Sequence, residues 1–516
     1  MSRSFWCILV LSFFLSPVVI SAQEKTKRSN VVFIFTDDQR ADTIGALGNK
    51  HIKTPNLDKL VGRGTAFTRA YCMGSMQGAV CVPSRAMVMS GRTLFRINEN
   101  LKGITTWPEM FARAGYRTFI TGKWHNQPAS ALAAFSAGKN LFFGGMASPY
   151  EVPVADITAK RTLTEKKLSG KHSVELFTDS AIDFIKEQKG SDKPFVCYVA
   201  FNGPHDPRVA PKEYHEPYDK NKPPLPPNFL PQHPFNNGEM IVRDERLAPW
   251  PRTKDVVQQH LADYHAYITF IDTQVGRIVQ ALRDAGMEDD TIIVFASDSG
   301  LALGSHGLFG KQSVYDHSMR APLIFAGPGV PNGKQSDAMC YLLDIFPTLG
   351  ELAKVQGPDG SEGRSLIPVM KGEAKGRDSI FLAYRQFQRA VREDRWKIIV
   401  YPHINKTQLF DLQNDPHEIK DLAGDATHAK TIERLTDKLK ELQHQLGDKQ
   451  PLRSEKPMPL EFDFSKVPPE EKKKKLKTSS ETDAKRDTLG GFAQLTALKV
   501  RREYPESRII ARLITG

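Results

Sequence analysis

The sequence predicts an α/β layer fold whose core is a largely parallel sheet, and three observations carry that prediction. Short β-branched or aromatic runs recur along the chain, separated by stretches with helical spacing. One of those stretches carries a long apolar stripe at three- and four-residue intervals. Each run also leads directly into a polar cluster, as expected where ligands bind beyond the carboxyl ends of parallel strands.

The elements follow in order. Residues 31–35 form the first strand, continuing at once into Thr36, Asp37, Asp38 and Gln39. An amphipathic helix over 107–114, capped by Gly115, precedes a second strand at 116–121, which ends in Gly122, Lys123, Trp124 and His125. A helical pattern at 174–186 leads to a third strand at 195–201, followed by Pro204, His205, Asp206 and Pro207. The stripe Leu261, Tyr264, Ile268, Ile271, Val275, Ile278, Val279 and Leu282 marks a long helix before a fourth strand at 291–296, which ends in Asp298, Ser299 and Gly300. Residues 322–326 read as a fifth strand. From about Ser379 the texture changes to short strands at 379–384 and 396–401 and an amphipathic helix at 429–447, a smaller α+β unit. Beyond Pro451 the Pro-, Lys-, Glu- and Ser-rich composition predicts an ill-ordered segment to about Asp487, with a helix or two over 490–513.

Composition narrows the class. The 516 residues are 40% hydrophobic and 25% charged, which excludes collagen-like, coiled-coil and wholly disordered chains. The net charge of +12 is concentrated late: residues 451–516 hold 15 Lys and Arg against 10 Asp and Glu, including the run Lys472 to Lys475. Such a run marks a solvated tail, and no nucleic-acid partner is expected. Arg3, an apolar stretch over 5–20 broken by Pro17, and Ser21-Ala22 make residues 1–22 a signal peptide with no transmembrane anchor. The chain is therefore expected to be exported, either periplasmic or secreted. Cys72, Cys81, Cys197 and Cys340 remain after its removal, too few for a disulfide scaffold, with one or two bridges left open.

Chemistry concentrates in two places. Asp37 and Asp38 after one strand, with Asp298 after another, offer oxygen ligands suited to a hard divalent cation, although an Asp pair is also an ordinary turn and Asp298 an ordinary helix cap. Pro83 breaks the pattern before it and residues 86–90 read as the opening of a helix, so residue 81 of Cys81-Val82-Pro83-Ser84-Arg85 lies near a helix N-terminus, where backbone amides and the dipole favour an anion. From spacing alone a buried structural cysteine beside a solvated arginine is the better reading.

This segment, continued by Ala86-Met87-Val88-Met89-Ser90-Gly91-Arg92, resembles the signature of the type I sulfatases. The resemblance extends from about Ser29 to about Leu422. It includes Thr54-Pro55-Asn56-Leu57-Asp58, Gly122-Lys123-Trp124-His125, Pro204-His205-Asp206-Pro207, His306-Gly307-Leu308-Phe309-Gly310-Lys311, and Leu409-Phe410-Asp411-Leu412 with Asp415-Pro416. It implies an alkaline-phosphatase-like fold and hydrolysis of sulfate esters, with Cys81 converted to formylglycine by a maturation enzyme. One hydroxyl of the hydrated aldehyde would attack sulfur, and the second would eliminate sulfate from the sulfated intermediate. The resemblance further implies that Asp37, Asp38, Asp298 and residue 81 hold Ca²⁺, and that Arg85 steadies residue 81. Lys123 and Lys311 would grip the sulfate, His125 would assist elimination, and His205 would contact substrate and protonate the leaving alcohol.

One position departs from the family pattern. Ser299 stands where Asn, Gln or His usually completes the metal site, and a helix-capping serine is its ordinary reading. The resulting organisation is a signal peptide at 1–22, a catalytic domain at 29–375, a C-terminal subdomain at 376–450 and a basic tail at 451–516. The Gly74-Ser75-Met76-Gln77 lead-in resembles that of carbohydrate sulfatases, so the expected substrate is a sulfated glycan or smaller sulfated molecule. Tyr384, Arg385 and Gln386 are candidates for the pocket rim. Arylsulfate or choline sulfate hydrolysis, phosphate or phosphonate ester hydrolysis, and non-catalytic binding of sulfated glycans are the alternatives.

Overall fold

Strand Asn30–Asp37 is buried along its whole length and sits at the centre of the larger sheet, which explains its uninterrupted apolar run. A computed structural model describes residues 28–357 and 360–466. The described residues to Phe462 belong to one compact unit; a second begins at Asp463, and its described part is residues 463–466, which include the short helical turn Phe464–Lys466. The signal-peptide stretch, the Lys472–Lys475 run and the helices expected over 490–513 lie outside the described residues.

Around the central strand, Thr291–Ser297 lies on one side and Phe195–Pro204 on the other, followed by Arg117–Lys123 and Ala137–Phe142, all parallel. The outer strands depart from the expected pattern. Arg320–Ala326, the predicted fifth strand, pairs antiparallel with Thr291–Ser297 and with Gly64–Tyr71, and Pro153–Ile157 is antiparallel at the other side. The sheet is therefore mixed: parallel through its middle, antiparallel at the strands that flank it, and parallel again where the short strands Lys334–Ser336 and Cys340–Tyr341 pair with Gly64–Tyr71.

Alternation along the central strand feeds two cores. Val31, Phe33 and Phe35 pack on one face with Trp107, Trp124 and Tyr198, beside helix Cys81–Ser90. Val32 and Ile34 face the other side, under helices Ser173–Glu187 and Lys254–Asp284. The latter begins where Thr253 accepts a hydrogen bond from the Val256 amide, and its predicted stripe is the buried one.

A second, five-stranded sheet comprises Ile380–Tyr384, Gln388–Arg392, Trp396–Tyr401 and Lys406–Asp411 in antiparallel order, with helix Ala429–Leu446 against it. Its fifth strand is Gly74–Ser75, which pairs parallel with Ile380–Tyr384. Polar composition suggested disorder beyond Pro451, but residues 451–462 are bound to the compact unit: the Ser454 amide donates to Asn405 Oδ1 at 2.8 Å, Met458 to His403 O at 2.7 Å, and Leu460 O accepts from Asn236 at 2.8 Å. These hydrogen bonds order a segment that its own apolar content could not. The four cysteines among the described residues are free thiols and buried.

Candidate active site

Four parallel strands end at one place and deliver Asp37, Lys123, His205 and Asp298 together. Helix Cys81–Ser90 contributes Cys81 as its first residue and Arg85 one turn later. The Lys311 loop completes the group. Cys81, Arg85, Lys123 and Lys311 are all nearly inaccessible.

One ligand atom each from Asp37, Cys81 and Asp298 lies within 4.8 Å of the other two. Asp37 accepts from the Lys123 ammonium through Oδ2, while its buried Oδ1 has no hydrogen-bond partner among the described residues. Burial would raise the Asp37 carboxyl, but Lys123, His205 and Arg85 outweigh it and hold the group well below the usual range. Asp298 shares Oδ2 with Arg85 Nε at 2.9 Å, and its Oδ1 accepts the Asp38 amide at 3.0 Å. Burial and then Asp37 push Asp298 up to about 7 despite Arg85. The orphaned Asp37 oxygen and these carboxylates fit a hard divalent ion.

Asp38 stands beside this cluster rather than within it. Its left-handed backbone, φ 66°, turns the carboxylate so that both oxygens accept from Lys311 Nζ, at 2.6 and 2.7 Å. Ser299 caps no helix: its hydroxyl donates to Asp38 Oδ1 at 3.1 Å. Lys311 is raised well above the ordinary lysine value because Asp38, Cys81, Asp37 and Asp244 overcome the effect of burial.

Glycine conformation shapes the Lys123 arm. Gly122 has φ 91°, and a Cβ there would lie 2.0 Å from Ala200 O; the pairing register shifts just before it. The resulting kink sends Lys123 to Asp37 and to Gly145 O, 2.7 Å away. His125 follows with φ 66° and a buried Nδ1 that lacks a hydrogen-bond partner among the described residues. Burial and then Lys123 keep this ring neutral. His205 Nδ1 is 2.8 Å from Asp206 O, leaving Nε2 3.7 Å from Asp38 Oδ2.

Arg85 lies over the Phe35 ring and donates from Nη1 to Lys123 O at 3.0 Å, so one side chain ties two strand ends to the helix. Burial pushes the Cys81 thiol up to about 11, against the pull of Lys311 and Lys123. As a thiol this residue is protonated at neutral pH and a poor nucleophile.

The structure brings all the sequence-predicted site residues to one end of the sheet, and adds others that no motif announced. Glu245, buried in the short helix Arg243–Leu247, accepts the Phe309 and Gly310 amides at 2.8–3.0 Å and thereby sets the Lys311 loop. Gln312 links that loop to Asp244 at 2.8 Å and to Gly78 O at 3.3 Å. Tyr384 and Arg385 reach Glu239. For Glu239, Asp244 and Glu245, an acidic cluster in an irregular segment is the only signal that the sequence holds, whereas Tyr384 and Arg385 were expected at the pocket rim.

Residues 29–355 match the sulfatase family, and residues 304–445 match the C-terminal region of N-sulphoglucosamine sulphohydrolase. The chain belongs to the sulfatase family. It is 26% identical over 506 residues to an N-acetylglucosamine-6-O-sulfatase of Bacteroides thetaiotaomicron, covering 83% of this chain and 88% of the relative. An arylsulfatase of Clostridium perfringens is 29% identical over 461 residues, covering 79% and 93%. Among solved structures, one determined with its substrate D-glucosamine-2-N,6-O-disulfate is 24% identical, covers 83% of this chain and 100% of its own, and gives a TM-score of 0.69. The fold is thus that of the alkaline-phosphatase-like sulfatases, and this family member is a sulfuric ester hydrolase. No helix among the described residues is long and apolar enough to cross a membrane.

Proposed function

We propose that this sulfatase removes sulfate from a sulfated carbohydrate, using residue 81 as the nucleophile after conversion of Cys81 to formylglycine. One observation carries the reading: Cys81 heads a buried helix and shares a 4.8 Å cluster with Asp37 and Asp298, beside Arg85, Lys123 and Lys311. A sulfate monoester is an anion, so a productive site must neutralise it and hold a nucleophile in line. The sugar class is supported by the names of the amino-sugar relative and of the structure bearing a sulfated glucosamine.

Asp37, Asp38, Asp298 and modified residue 81 would hold the divalent ion, read here as Ca²⁺. When bound, it would supply charge for a sulfate oxygen and acidity to the hydrated aldehyde. The remaining roles fall to side chains of this chain. Arg85 anchors residue 81 from below, through its position on the same helix and its hold on Asp298. Lys123 and Lys311, each resting on a carboxylate, are the cations able to turn to sulfate oxygens. His205, with Nδ1 at Asp206 O, presents Nε2 to protonate the leaving alcohol. Neutral His125 can accept a proton from residue 81 as sulfate departs. Ser299 supports Asp38 rather than joining the ligands. An amino-terminal signal peptide and a periplasmic or secreted location belong to the same reading, as does the division into a catalytic domain at 29–375, a C-terminal subdomain at 376–450 and a tail.

Mass spectrometry of the peptide spanning residues 71–85, from protein made in its native host, tests the mechanism. Conversion of the thiol to an aldehyde removes about 18 Da. Rates on glucosamine 6-sulfate, 4-nitrophenyl sulfate and choline sulfate then test the substrate class, with the amino-sugar sulfate expected to turn over fastest. An unmodified, protonated thiol in host-purified protein would overturn the nucleophile and leave Arg85, Lys123 and Lys311 as a sulfate-binding surface without turnover.

A further inference from the structure

His205 follows strand Phe195–Pro204 and is held mainly by its neighbour: Nδ1 lies 2.8 Å from Asp206 O and 3.4 Å from Asp206 Oδ1. Such a hold orients the ring only if Asp206 is itself fixed, and Asp206 belongs to no helix or strand.

Arg243, the first residue of the short helix Arg243–Leu247, fixes it. The guanidinium forks the Asp206 carboxylate, Nη1 donating to Oδ2 and Nη2 to Oδ1 at 3.1 Å. A two-point contact sets the plane of a carboxylate as well as its place, which a single ammonium contact does not. Burial would raise Asp206, but His205, Arg243 and Arg208 hold it well below the usual carboxylate range, so it is an anion at neutral pH. The Arg243 side chain is 45% exposed against 10% for Asp206 and 7% for His205, which makes the arginine the outermost of the three.

The same guanidinium touches two further catalytic loops. Nη1 lies 2.9 Å from Met146 Sδ, beside the Gly145 carbonyl that accepts from Lys123. Nη2 lies 2.5 Å from Asp244 Oδ1, and Asp244 accepts from Gln312, next to Lys311.

We propose that Arg243 is a positioning residue for the sulfatase reaction: its fork on Asp206 fixes the His205 ring with Nε2 towards the leaving oxygen, a role that rests on the general-acid reading of His205. In that step the bond from sulfur to the leaving oxygen breaks, its electron pair stays on oxygen, and the Nε2 proton moves there, leaving a neutral imidazole.

Dependence on the leaving group separates this role from a structural one. A weakly basic phenolate departs without a proton, whereas a more basic one needs the acid. Lys123 and Lys311 act on sulfate oxygens, which every ester shares, so damage passed through Gln312 would lower all rates alike.

The test uses the full-length, formylglycine-bearing enzyme with 4-nitrophenyl, 4-chlorophenyl and phenyl sulfate as substrates and inorganic sulfate as competitive inhibitor. Arg243→Met should lower kcat/KM for phenyl sulfate about tenfold more than for 4-nitrophenyl sulfate, part of the about 10²- to 10⁴-fold that a general acid supplies. The inhibition constant of sulfate should change less than about twofold, since ground-state anion binding is untouched. Asp206→Asn should show the same dependence, and the double variant little more than either, because both act through one ring. Arg243→Lys keeps the charge without the fork; it serves where Arg243→Met folds poorly and should show the same dependence in smaller degree. Crystals of the variant should show the His205 ring turned away from Asp206 O, a readout that needs no turnover. An equal loss for all three esters with the ring unmoved would overturn the proposal and make the ion pair an anchor of the 243–247 helix. His205→Ala separates the two readings. An equal loss of all three esters in that variant would overturn the general acid itself; leaving-group dependence there, with none in Arg243→Met, would overturn the role of Arg243 alone.

Discussion

Two buried ionic clusters divide the labour in this protein. The first, at the strand ends, sets Asp37, Asp38 and Asp298 against Arg85, Lys123 and Lys311. The second lies where the C-terminal sheet meets the main one: Lys397 bridges Asp316 and Glu418, and Asp316 also accepts from Tyr71 at 2.9 Å. Both are buried, and each holds one carboxyl down and pushes another up, Asp37 and Asp298 in the first, Asp316 and Glu418 in the second. They differ in the closeness of pairing: the ion pair at Asp37 Oδ1 is 4.0 Å long, whereas the one at Glu418 Oε1 is 2.6 Å. A carboxylate oxygen held only at that longer range can take a further cation, and that separates the first cluster from a mere fastening.

The sharpest way to break the comparison is at residue 81. Cys81→Ala should lower kcat by about 10⁴-fold or more, while melting stays close to that of the parent, because the thiol is a small buried group in contact with no other element's charge by hydrogen bond. A residual rate above that level would remove residue 81 from the chemistry. Lys123→Ala and Lys311→Ala come next, each expected to reduce kcat/KM about 10²- to 10³-fold through loss of a cation aimed at sulfate; rates with a fixed sulfated sugar measure this. Unchanged kcat/KM in both would show that these lysines serve only to neutralise carboxylates.

The second cluster should respond in the opposite manner. Lys397→Met strands Asp316 and Glu418 without their shared cation and should cost about 3–5 kcal/mol in denaturant unfolding, with kcat near the parent's at temperatures where the protein is folded. Divalent-ion removal gives a gentler effect on stability. Calcium added to chelator-treated protein should raise the melting temperature with the logarithm of its free concentration once that exceeds the dissociation constant, and Asp298→Asn should blunt that rise. A flat calcium response in the parent would dissociate the carboxylate cluster from metal binding.

The smallest expected effect lies away from both clusters. His172 Nδ1 accepts the Val174 amide at 3.2 Å and Nε2 contacts Val209 O at 2.9 Å, capping helix Ser173–Glu187. Burial lowers this ring to about 4 from an ordinary 6.5. Below the unfolded value the unfolded chain takes up a proton that the folded one refuses. Stability therefore falls as pH drops from about 6.5 towards about 4. His172→Gln should flatten that part of the melting-temperature profile; an unaltered slope would assign the acid sensitivity to other groups.

Much of this arrangement could be read before any coordinates. The strand runs at 31–35, 195–201 and 291–296 were legible because burial on both faces leaves no polar alternation to confuse them. Cys81, Lys123, His205, Asp298 and Lys311 were legible because each sits in a local motif, and the strand-end rule told where those motifs would meet. Glu245, Gln312 and Glu239 were not, since each acts across a long sequence separation from an irregular segment. The antiparallel outer strands were equally hidden, because strand direction leaves no trace in composition. Residues 451–462 misled for a related reason: their order comes from hydrogen bonds to Asn236, His403 and Asn405, none of which a composition argument can count.

By itself, then, the sequence determined the alternation of strands and helices, the residue types at each strand end, and a helix opening close after Cys81, because local propensity and periodicity are properties of neighbouring residues. Only the tertiary structure decided that Asp38 is held by Lys311 and Ser299 beside the Asp37, Cys81 and Asp298 cluster, that Gly74–Ser75 joins the second sheet, and that Lys397 fastens that sheet beneath the first. Those outcomes depend on distances between residues far apart in the chain and on burial, which alone determines whether a charge must find a partner.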